Sequence, residues 1–288
     1  MHNNNYLKLI FLISKILINI YFIGGVILNF SYKLGIDIGS TTIKLVVLDK
    51  DNQVVYKKYM RHLSEIYKSM HDNMILLSDT LKNHKFSCAI TGSAGMGMAN
   101  NLNMPFVQEV IACSKAVKNW IPQTDVAVEL GGEDAKITYF GSAPEQRMNG
   151  VCAGGTGSFI DHMASLLNTD AMGLNELAQK GTQIYTIASR CGVFAKTDVQ
   201  ALLNDGVSKA DIALSILQAV VNQTIGNLAQ GRPLEGNIAF LGGPLYFLTQ
   251  LKERFIKTLK LTDEHIVNVD DGCYFVAMGC ALSIMQLK

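Results

Sequence analysis

The stretch that decides the fold is Leu34-Gly35-Ile36-Asp37-Ile38-Gly39-Ser40-Thr41-Thr42-Ile43-Lys44-Leu45-Val46-Val47-Leu48. Two apolar runs of strand length flank a short polar segment, which is a signature of two strands joined by a turn. A glycine followed by small hydroxyl residues is typical of such a turn. The stretch therefore predicts a β-hairpin that carries an acid at the end of its first strand.

The same pattern returns at Val126-Ala127-Val128-Glu129-Leu130-Gly131-Gly132-Glu133-Asp134-Ala135-Lys136-Ile137-Thr138-Tyr139-Phe140. Both stretches have an acid, a glycine two residues later and a lysine seven residues later. These shared positions are Asp37, Gly39, Lys44 and Glu129, Gly131, Lys136. We interpret the repeat as an internal duplication of one hairpin.

Each hairpin has the chemistry of a phosphate-binding loop. A glycine turn exposes backbone N–H groups, hydroxyl side chains add donors, and a lysine adds a positive charge. An acid at the strand end, Asp37, is suited to hold Mg²⁺ through water, and Glu129 or Asp134 to orient a water for in-line attack on a phosphate. A plain hairpin with a polar tip is the alternative for either motif alone, and the duplication favours phosphate binding.

A third nucleotide contact is expected where the strand Ile238-Ala239-Phe240-Leu241 ends in Gly242-Gly243-Pro244. There the backbone would approach the adenosine. The predicted nucleotide-binding residues of the three turns are Asp37, Gly39, Ser40, Thr41, Thr42, Lys44, Gly131, Gly132, Lys136, Gly242 and Gly243.

Strands alternate with helical stretches along the rest of the chain, which predicts an α/β architecture. With the duplicated hairpin, this favours two lobes with a nucleotide cleft between them. We expect lobe I at residues 33–123 and lobe II at residues 124–288, with the last helix returning to lobe I. One helix is predicted to start at Ser208 in a capping box with Asp211.

The composition narrows the class of protein. The chain has 288 residues, 49% of them hydrophobic, and a net charge of +1, so a large core is expected and a general attraction for nucleic acid is not. Its six cysteines are too few and too scattered for a disulfide scaffold. Reduced thiols or a metal site are expected instead.

The first 32 residues differ from the remainder. Residues 9–30 are mostly apolar and have about the length that spans a bilayer, with Lys15 inside the run. Two interpretations stay open: a misplaced start, with the true chain beginning near residues 28–33, and a genuine membrane anchor or signal.

Two cysteines stand just ahead of predicted helices. Cys152 precedes Gly154-Gly155-Thr156, and Cys191 follows Ser189-Arg190. A helix N-terminus lowers a thiol pKa and stabilises an anionic thiolate-ligated cluster. Two such ligands from each chain of a symmetric dimer would complete a four-thiolate site, whereas the alternative is that both are small buried hydrophobes. The buried interpretation is preferred for Cys88, Cys113, Cys273 and Cys280.

The three glycine turns resemble those of the actin-like (ribonuclease H-like) ATPase fold, whose members include sugar kinases and actin. The strings NGVCAGGTGSFIDHMA and SRCGVFAKTDVQ, with LGIDIGSTTIK and ELGGEDAKI, resemble the activators of 2-hydroxyacyl-CoA dehydratases and the related ATPase subunits of benzoyl-CoA reductase. The resemblance implies a cytoplasmic homodimer of an anaerobe that binds ATP in each chain. It also implies one 4Fe-4S cluster held between the chains by Cys152 and Cys191.

The resemblance further implies a function. ATP hydrolysis would drive a low-potential electron from the cluster to a dehydratase or reductase partner, with ferredoxin or flavodoxin as donor. Gly154, Gly155 and Thr156 would then touch nucleotide next to a cluster ligand. Glu129 and Glu133 depart from the family pattern, which leaves the partner undefined, and the N-terminal apolar stretch is foreign to it. A small-molecule kinase of the sugar type and a nucleotide-binding scaffold without turnover are the alternatives.

Overall fold

The computed structural model describes residues 32–81, 86–149, 154–189 and 191–284. The apolar N-terminal stretch and Cys152 lie outside the described residues. The described part of the chain divides into two compact units, one formed by the residues up to 120 and from 274 onward and the other by residues 121–273.

The first unit is built on a four-stranded mixed sheet. Its strands are β1 (Tyr32–Ile38), β2 (Thr42–Leu48), β3 (Val54–Arg61) and β4 (Phe86–Thr91), in the order β3-β2-β1-β4. β1 runs antiparallel to β2 and parallel to β4. The predicted hairpin is confirmed.

The alternation of side chains along β1 assigns its residues to two opposite faces of the sheet. Leu34, Ile36 and Ile38 point into one apolar core, which also takes Met70 and Met74 from a helix. Asp37 therefore belongs to the opposite face, because successive side chains of a strand point to opposite sides. The helices of this unit are α1 (Ile66–Thr80), α2 (Gly95–Asn101), α3 (Glu109–Trp120) and the last helix of the chain, Phe275–Ser283.

The second unit repeats this sheet. Its strands are β5 (Val126–Leu130), β6 (Ala135–Tyr139), β7 (Glu145–Met148) and β8 (Ile238–Leu241), in the order β7-β6-β5-β8. β5 is antiparallel to β6 and parallel to β8. The order and directions match the first unit strand for strand, so the duplication inferred from the hairpins extends to both whole sheets.

Helices fill the long segment between β7 and β8 and follow β8. They are α4 (Gly157–Leu166), α5 (Ala171–Ala178), α6 (Gly192–Asn204), α7 (Lys209–Thr224) continued by a π-helical turn (Ile225–Ala229), α8 (Gly243–Phe247) and α9 (Thr249–Leu259). Short 3₁₀ turns lie at Asp263–His265 and Gly272–Tyr274. The predicted cap of α7 is present, since the Asp211 amide donates to Ser208 Oγ at 3.1 Å.

The segment Lys209–Ala229 is the one helix in the described ranges that is long and apolar enough to cross a membrane. Most of it is buried within the second unit, where Ile212, Ile216 and Val220 are fully covered. Its apolar character is accounted for by this core.

Candidate functional site

The acid and the lysine of the first hairpin form an ion pair. Asp37 and Lys44 lie directly opposite each other on β1 and β2, and Lys44 Nζ is 2.9 Å from Asp37 Oδ2. Only 7% of the Asp37 side chain and 15% of the Lys44 side chain are exposed. The seven-residue spacing in the sequence thus corresponds to a cross-strand pair. This pair lies at the end of the sheet where the turn joins the two strands.

The turn that joins these strands is closed by its own backbone. The Gly39 amide donates to the Thr42 carbonyl at 2.9 Å, which leaves Ser40 and Thr41 at the tip, both half-buried. Among the described residues no bond occupies the amides of Ser40 and Thr41. Adjacent backbone donors of this kind are able to bind a phosphate oxygen.

A buried histidine, His62, bonds the backbone of this turn, and it was not predicted from the sequence. His62 accepts a hydrogen bond from the Ser64 amide at its Nδ1, so its proton is on Nε2, which lies 3.1 Å from the Gly39 carbonyl. The His62 amide donates to the Thr41 carbonyl at 3.2 Å. No spacing signal identifies this residue, because its contacts depend on the path of the chain after β3.

The second hairpin has the same closure and a richer charge cluster. The Gly131 amide donates to the Asp134 carbonyl at 2.7 Å. Lys136 Nζ lies 2.7 Å from Asp134 Oδ2 and 3.6 Å from Glu129 Oε1, and the lysine is 4% exposed. Both acids predicted to orient water therefore share one buried cation.

The start of α4 is attached to this second turn. The Gly157 amide donates to the Gly131 carbonyl at 3.0 Å, and the Ser158 amide donates to the Gly132 carbonyl at 2.7 Å. Two amides at the beginning of the helix, which have no partner within a helix, are satisfied here by the turn. These two bonds connect the turn directly to the first residues of α4.

Asn149 makes a similar attachment on the other side of residues 150–153. Its amide donates to the Ala135 carbonyl at 3.0 Å, and its side-chain Oδ1 accepts from the Ala135 amide at 2.8 Å. Cys152 lies outside the described residues, but Asn149 before it is bonded to the first residue after the second turn, and Gly157 after it is bonded to the turn itself. The sequence places Asn149 three residues before the cysteine, and its role is visible only in the structure.

The parallel strands β4 and β8 end in equivalent glycine turns. Gly92 follows β4 with φ of +99°, and Gly242 follows β8 with φ of +87°. A Cβ on Gly92 would overlap the Ile38 carbonyl, and one on Gly242 would overlap the Leu130 carbonyl. The predicted third turn, with Gly243 buried at the start of α8, therefore has a counterpart in the first unit that the sequence analysis did not connect with it.

The residues Gly154, Gly155 and Thr156 are buried just before α4. Gly155 lies against the side chain of Gln223 on α7. Gln223 is 4% exposed, and its Oε1 atom has no hydrogen-bond partner in the part of the chain that the structure describes. A buried acceptor without a donor costs free energy, so this corner of the second unit can accept a donor from a ligand.

Cys191 is the residue that immediately precedes α6. Its carbonyl accepts from the Ala195 amide at 2.9 Å, and its thiol is free and half-buried. Val193 and Phe194, which follow after Gly192, are 71% and 65% exposed. Cys191 therefore stands just ahead of a helix, as the sequence predicted, and this helix begins with two exposed apolar side chains.

The remaining described cysteines are buried. Cys88, Cys113, Cys273 and Cys280 are each at most 6% exposed, which confirms the preferred interpretation of them as core residues. Burial raises the pKa of the Cys88 thiol well above its ordinary value, and the nearby Cys280 raises it further. Burial likewise raises the pKa of Cys280.

Comparison with known proteins identifies the family. The model of the BadF/BadG/BcrA/BcrD ATPase family matches residues 34–282, which is most of the chain. The chain belongs to this ATPase family. The (R)-2-hydroxyglutaryl-CoA dehydratase activating ATPase of Acidaminococcus fermentans is 29% identical over 225 residues, covering 74% of this chain and 82% of the relative.

Solved structures agree on the fold of this family member. The A. fermentans (R)-2-hydroxyglutaryl-CoA dehydratase component A superposes with a TM-score of 0.79 at 25% identity, covering 88% of this chain and 98% of that chain. The activator of the 2-hydroxyisocaproyl-CoA dehydratase from Clostridium difficile, solved with bound ADPNP, has a TM-score of 0.76 at 23% identity, covering 88% and 94%. The predicted α/β actin-like ATPase fold is confirmed.

The donor sets fit the groups that the family resemblance implies. Asp37 with the hydroxyls of the first turn offers hard oxygen donors suited to Mg²⁺. Cys191 offers a free, accessible thiol at a helix N-terminus, which suits an iron–sulfur ligand. No group of three or more histidines, cysteines or acids that could hold a metal occurs among the described residues, so the described part of one chain does not form a complete site.

Proposed function

We propose that this protein is an ATP-dependent activator that passes a low-potential electron from a 4Fe-4S cluster to a partner enzyme. The cluster would lie between two copies of the chain, held by Cys152 and Cys191 of each. The partner would be a 2-hydroxyacyl-CoA dehydratase or a benzoyl-CoA reductase-like protein, and a ferredoxin or flavodoxin would supply the electron. The cytoplasm is the expected location.

The observation that carries the proposal is the attachment of both flanks of Cys152 to the second turn. Asn149 is bonded to Ala135, and Gly157 to Gly131. A ligand that displaces this turn would displace Asn149 and Gly157, the described residues on either side of the cysteine, at the same time. This is a local mechanical route from nucleotide to cluster ligand, of the kind used by nucleotide-sensing switches.

The nucleotide side of the proposal rests on the two hairpins. Ser40 and Thr41 would donate backbone and hydroxyl hydrogens to phosphate oxygens, and Lys44 and Lys136 would neutralise their charge. Asp37 would hold the metal through water. The predicted site residues on the other turns would complete the contacts: Thr42 and Gly39 in the first hairpin, Gly132 in the second, and Gly242, Gly243, Gly154, Gly155 and Thr156.

For hydrolysis, the proposed roles of the acids follow from their shared lysine. Lys136 holds Asp134 at 2.7 Å, and this acid is 32% exposed, so it has room to orient a water. The water oxygen would bond to the γ-phosphorus while the bond to the ADP oxygen breaks, and the proton of the water would leave with the phosphate. Glu129, 12% exposed, would act mainly on the position of Lys136.

The cluster would supply one-electron chemistry at low potential. Cys191 supports this role because it is a free, half-buried cysteine at the start of α6, and the partial positive charge of a helix N-terminus stabilises an anionic ligand set. Exposed Val193 and Phe194 would be covered in such a dimer, which removes apolar surface from water.

The test is ATP hydrolysis under strictly anaerobic conditions, without any sugar, by oxidised and dithionite-reduced protein. We expect hydrolysis that needs no acceptor and changes with the redox state. Hydrolysis that appears only when a sugar is added, with the sugar phosphorylated, would identify a kinase instead. Binding of ATP with no turnover in either redox state would favour the scaffold alternative.

A further inference from the structure

A comparison of the equivalent positions in the two units identifies one residue, Thr91, whose hydroxyl group the fold does not require. In the first unit, Thr91 is the register partner of Asp37 across β1 and β4. In the second unit, Leu241 is the register partner of Glu129 across β5 and β8. Each partner is followed by the left-handed glycine described above. An apolar residue therefore satisfies this position of the fold, and the hydroxyl of Thr91 needs another explanation.

The Thr91 hydroxyl has no partner among the described residues. The residue is 0% exposed, and Oγ1 makes no hydrogen bond there. A hydroxyl buried without a partner destabilises a protein, whereas valine has the same shape without that cost. A buried orphan of this kind points to a ligand that is bound during function.

The hydroxyl is on the side of the sheet that carries Asp37. Paired residues of neighbouring strands project to the same face, so Thr91 and Asp37 share the face opposite the Leu34 core. Asp37 Oδ2 is held by Lys44, and Oδ1 lies against Gly92, the next residue after Thr91, where a Cβ would come within 2.6 Å of it. The Asp37 carboxylate and the unsatisfied Thr91 hydroxyl are thus on the same face at this end of the sheet.

We infer that the Thr91 hydroxyl binds a water in the hydration shell of the metal that Asp37 holds with the nucleotide. Thr91 is a positioning residue in this account, since it acts on the metal through water. The inference rests on the proposed function, because the metal enters with ATP. It gives a specific role to a residue at the end of β4, next to Gly92, in a site predicted from the hairpins, the third turn and residues Gly154, Gly155 and Thr156.

The test compares Thr91→Val and Thr91→Ser with the wild-type protein. Without nucleotide or metal, Thr91→Val should melt about 2–4 °C higher, because the unsatisfied hydroxyl is gone. The same variant should need about tenfold more Mg²⁺ for half-maximal ATP hydrolysis, whereas Thr91→Ser should stay close to wild type.

Thr124→Val is the matched control. Thr124 is also buried, but its Oγ1 donates to the Ile121 carbonyl at 2.8 Å. This variant should melt lower than the wild type and keep the wild-type Mg²⁺ requirement. The opposite changes in melting temperature separate an orphan hydroxyl from one with a structural partner.

Two outcomes would overturn the inference alone: a wild-type Mg²⁺ requirement in Thr91→Val, or a metal-free melting temperature below that of the wild type. A wild-type protein that neither binds nor hydrolyses ATP would overturn the proposed function, and the inference with it. The wild-type assay therefore distinguishes the two failures.

Discussion

Asn149 and Ala135 are joined by two hydrogen bonds, one between their backbones at 3.0 Å and one from the Ala135 amide to the Asn149 side chain at 2.8 Å. Ala135 is the first residue of β6, directly after the second turn, and Asn149 lies directly before residues 150–153. The pair therefore joins a predicted phosphate-binding turn to the segment that contains a predicted cluster ligand.

Asn149→Ala removes the acceptor of the buried Ala135 amide. We expect a loss of about 1–3 kcal/mol in the free energy of unfolding, because the amide is left unsatisfied. We also expect the difference in cluster potential between the ADP and ATP states to shrink, as measured by anaerobic redox titration. Asn222→Ala is the control, since Asn222 is exposed and its side chain accepts a hydrogen bond from the Gln218 side chain at 2.8 Å. A full nucleotide-dependent shift in Asn149→Ala would contradict the proposed coupling.

Lys136→Met leaves Glu129 and Asp134 without their shared cation. Removing one partner of a buried ion pair costs about 3–5 kcal/mol, and the low end applies here because Asp134 is 32% exposed. Urea unfolding should show this loss, and the affinity for ATP should fall at least about tenfold.

Lys257→Met serves as the comparison for that variant. Its pair with Glu253 is 59% and 43% exposed, and such pairs contribute about 0.5 kcal/mol or less. Equal losses of stability in both variants would show that the Lys136 cluster has no special role in the second unit.

The cysteines should differ in their reactivity in folded, metal-free protein. Burial raises the pKa of the Cys88 and Cys280 thiols, so at pH 8 they are protonated as well as covered. Iodoacetamide should therefore modify Cys191, whose thiol is accessible, and leave the other two unmodified, as mapped by peptide mass spectrometry. Comparable labelling of Cys88 would contradict the structure.

Asp211 predicts a specific dependence of stability on pH. Hydrogen bonds from the Gln183 and Thr182 amides, and then from Ser208, lower the pKa of this carboxyl in the folded state. A lowered pKa stabilises the fold at pH values above about 4, the ordinary value of an aspartate, and this contribution is lost as the pH falls through the folded pKa. Asp211→Asn should therefore melt below the wild type at pH 7, and the gap should close in acid. A gap that stays constant down to pH 2 would refute this origin.

The hairpins were predictable from the sequence because their signal is local. Strand alternation, a glycine turn and a seven-residue spacing define the Asp37–Lys44 pair without knowledge of the rest of the chain. The start of α7 at Ser208 was predictable for the same reason. The similarity of the two whole sheets could be predicted only in part from the sequence, since β7 is four residues long and has no apolar alternation.

The supporting residues could not be found in this way. His62 reaches Gly39 across 23 residues, and Asn149 reaches Ala135 across 14. Thr91 is notable because it pairs with Asp37 and because its hydroxyl lacks a hydrogen bond to the described residues. Neither property can be predicted from the residues next to it in the sequence. Contacts of this kind depend on topology, which local patterns do not specify.

Iron analysis of anaerobically purified protein, combined with its mass in solution, tests the central claim most directly. We predict a brown dimer with about four irons per two chains. Cys152→Ala and Cys191→Ala should each lose the iron, whereas Cys113→Ala should keep it. A colourless, iron-free wild-type protein, or a cluster that survives in Cys191→Ala, would contradict the account.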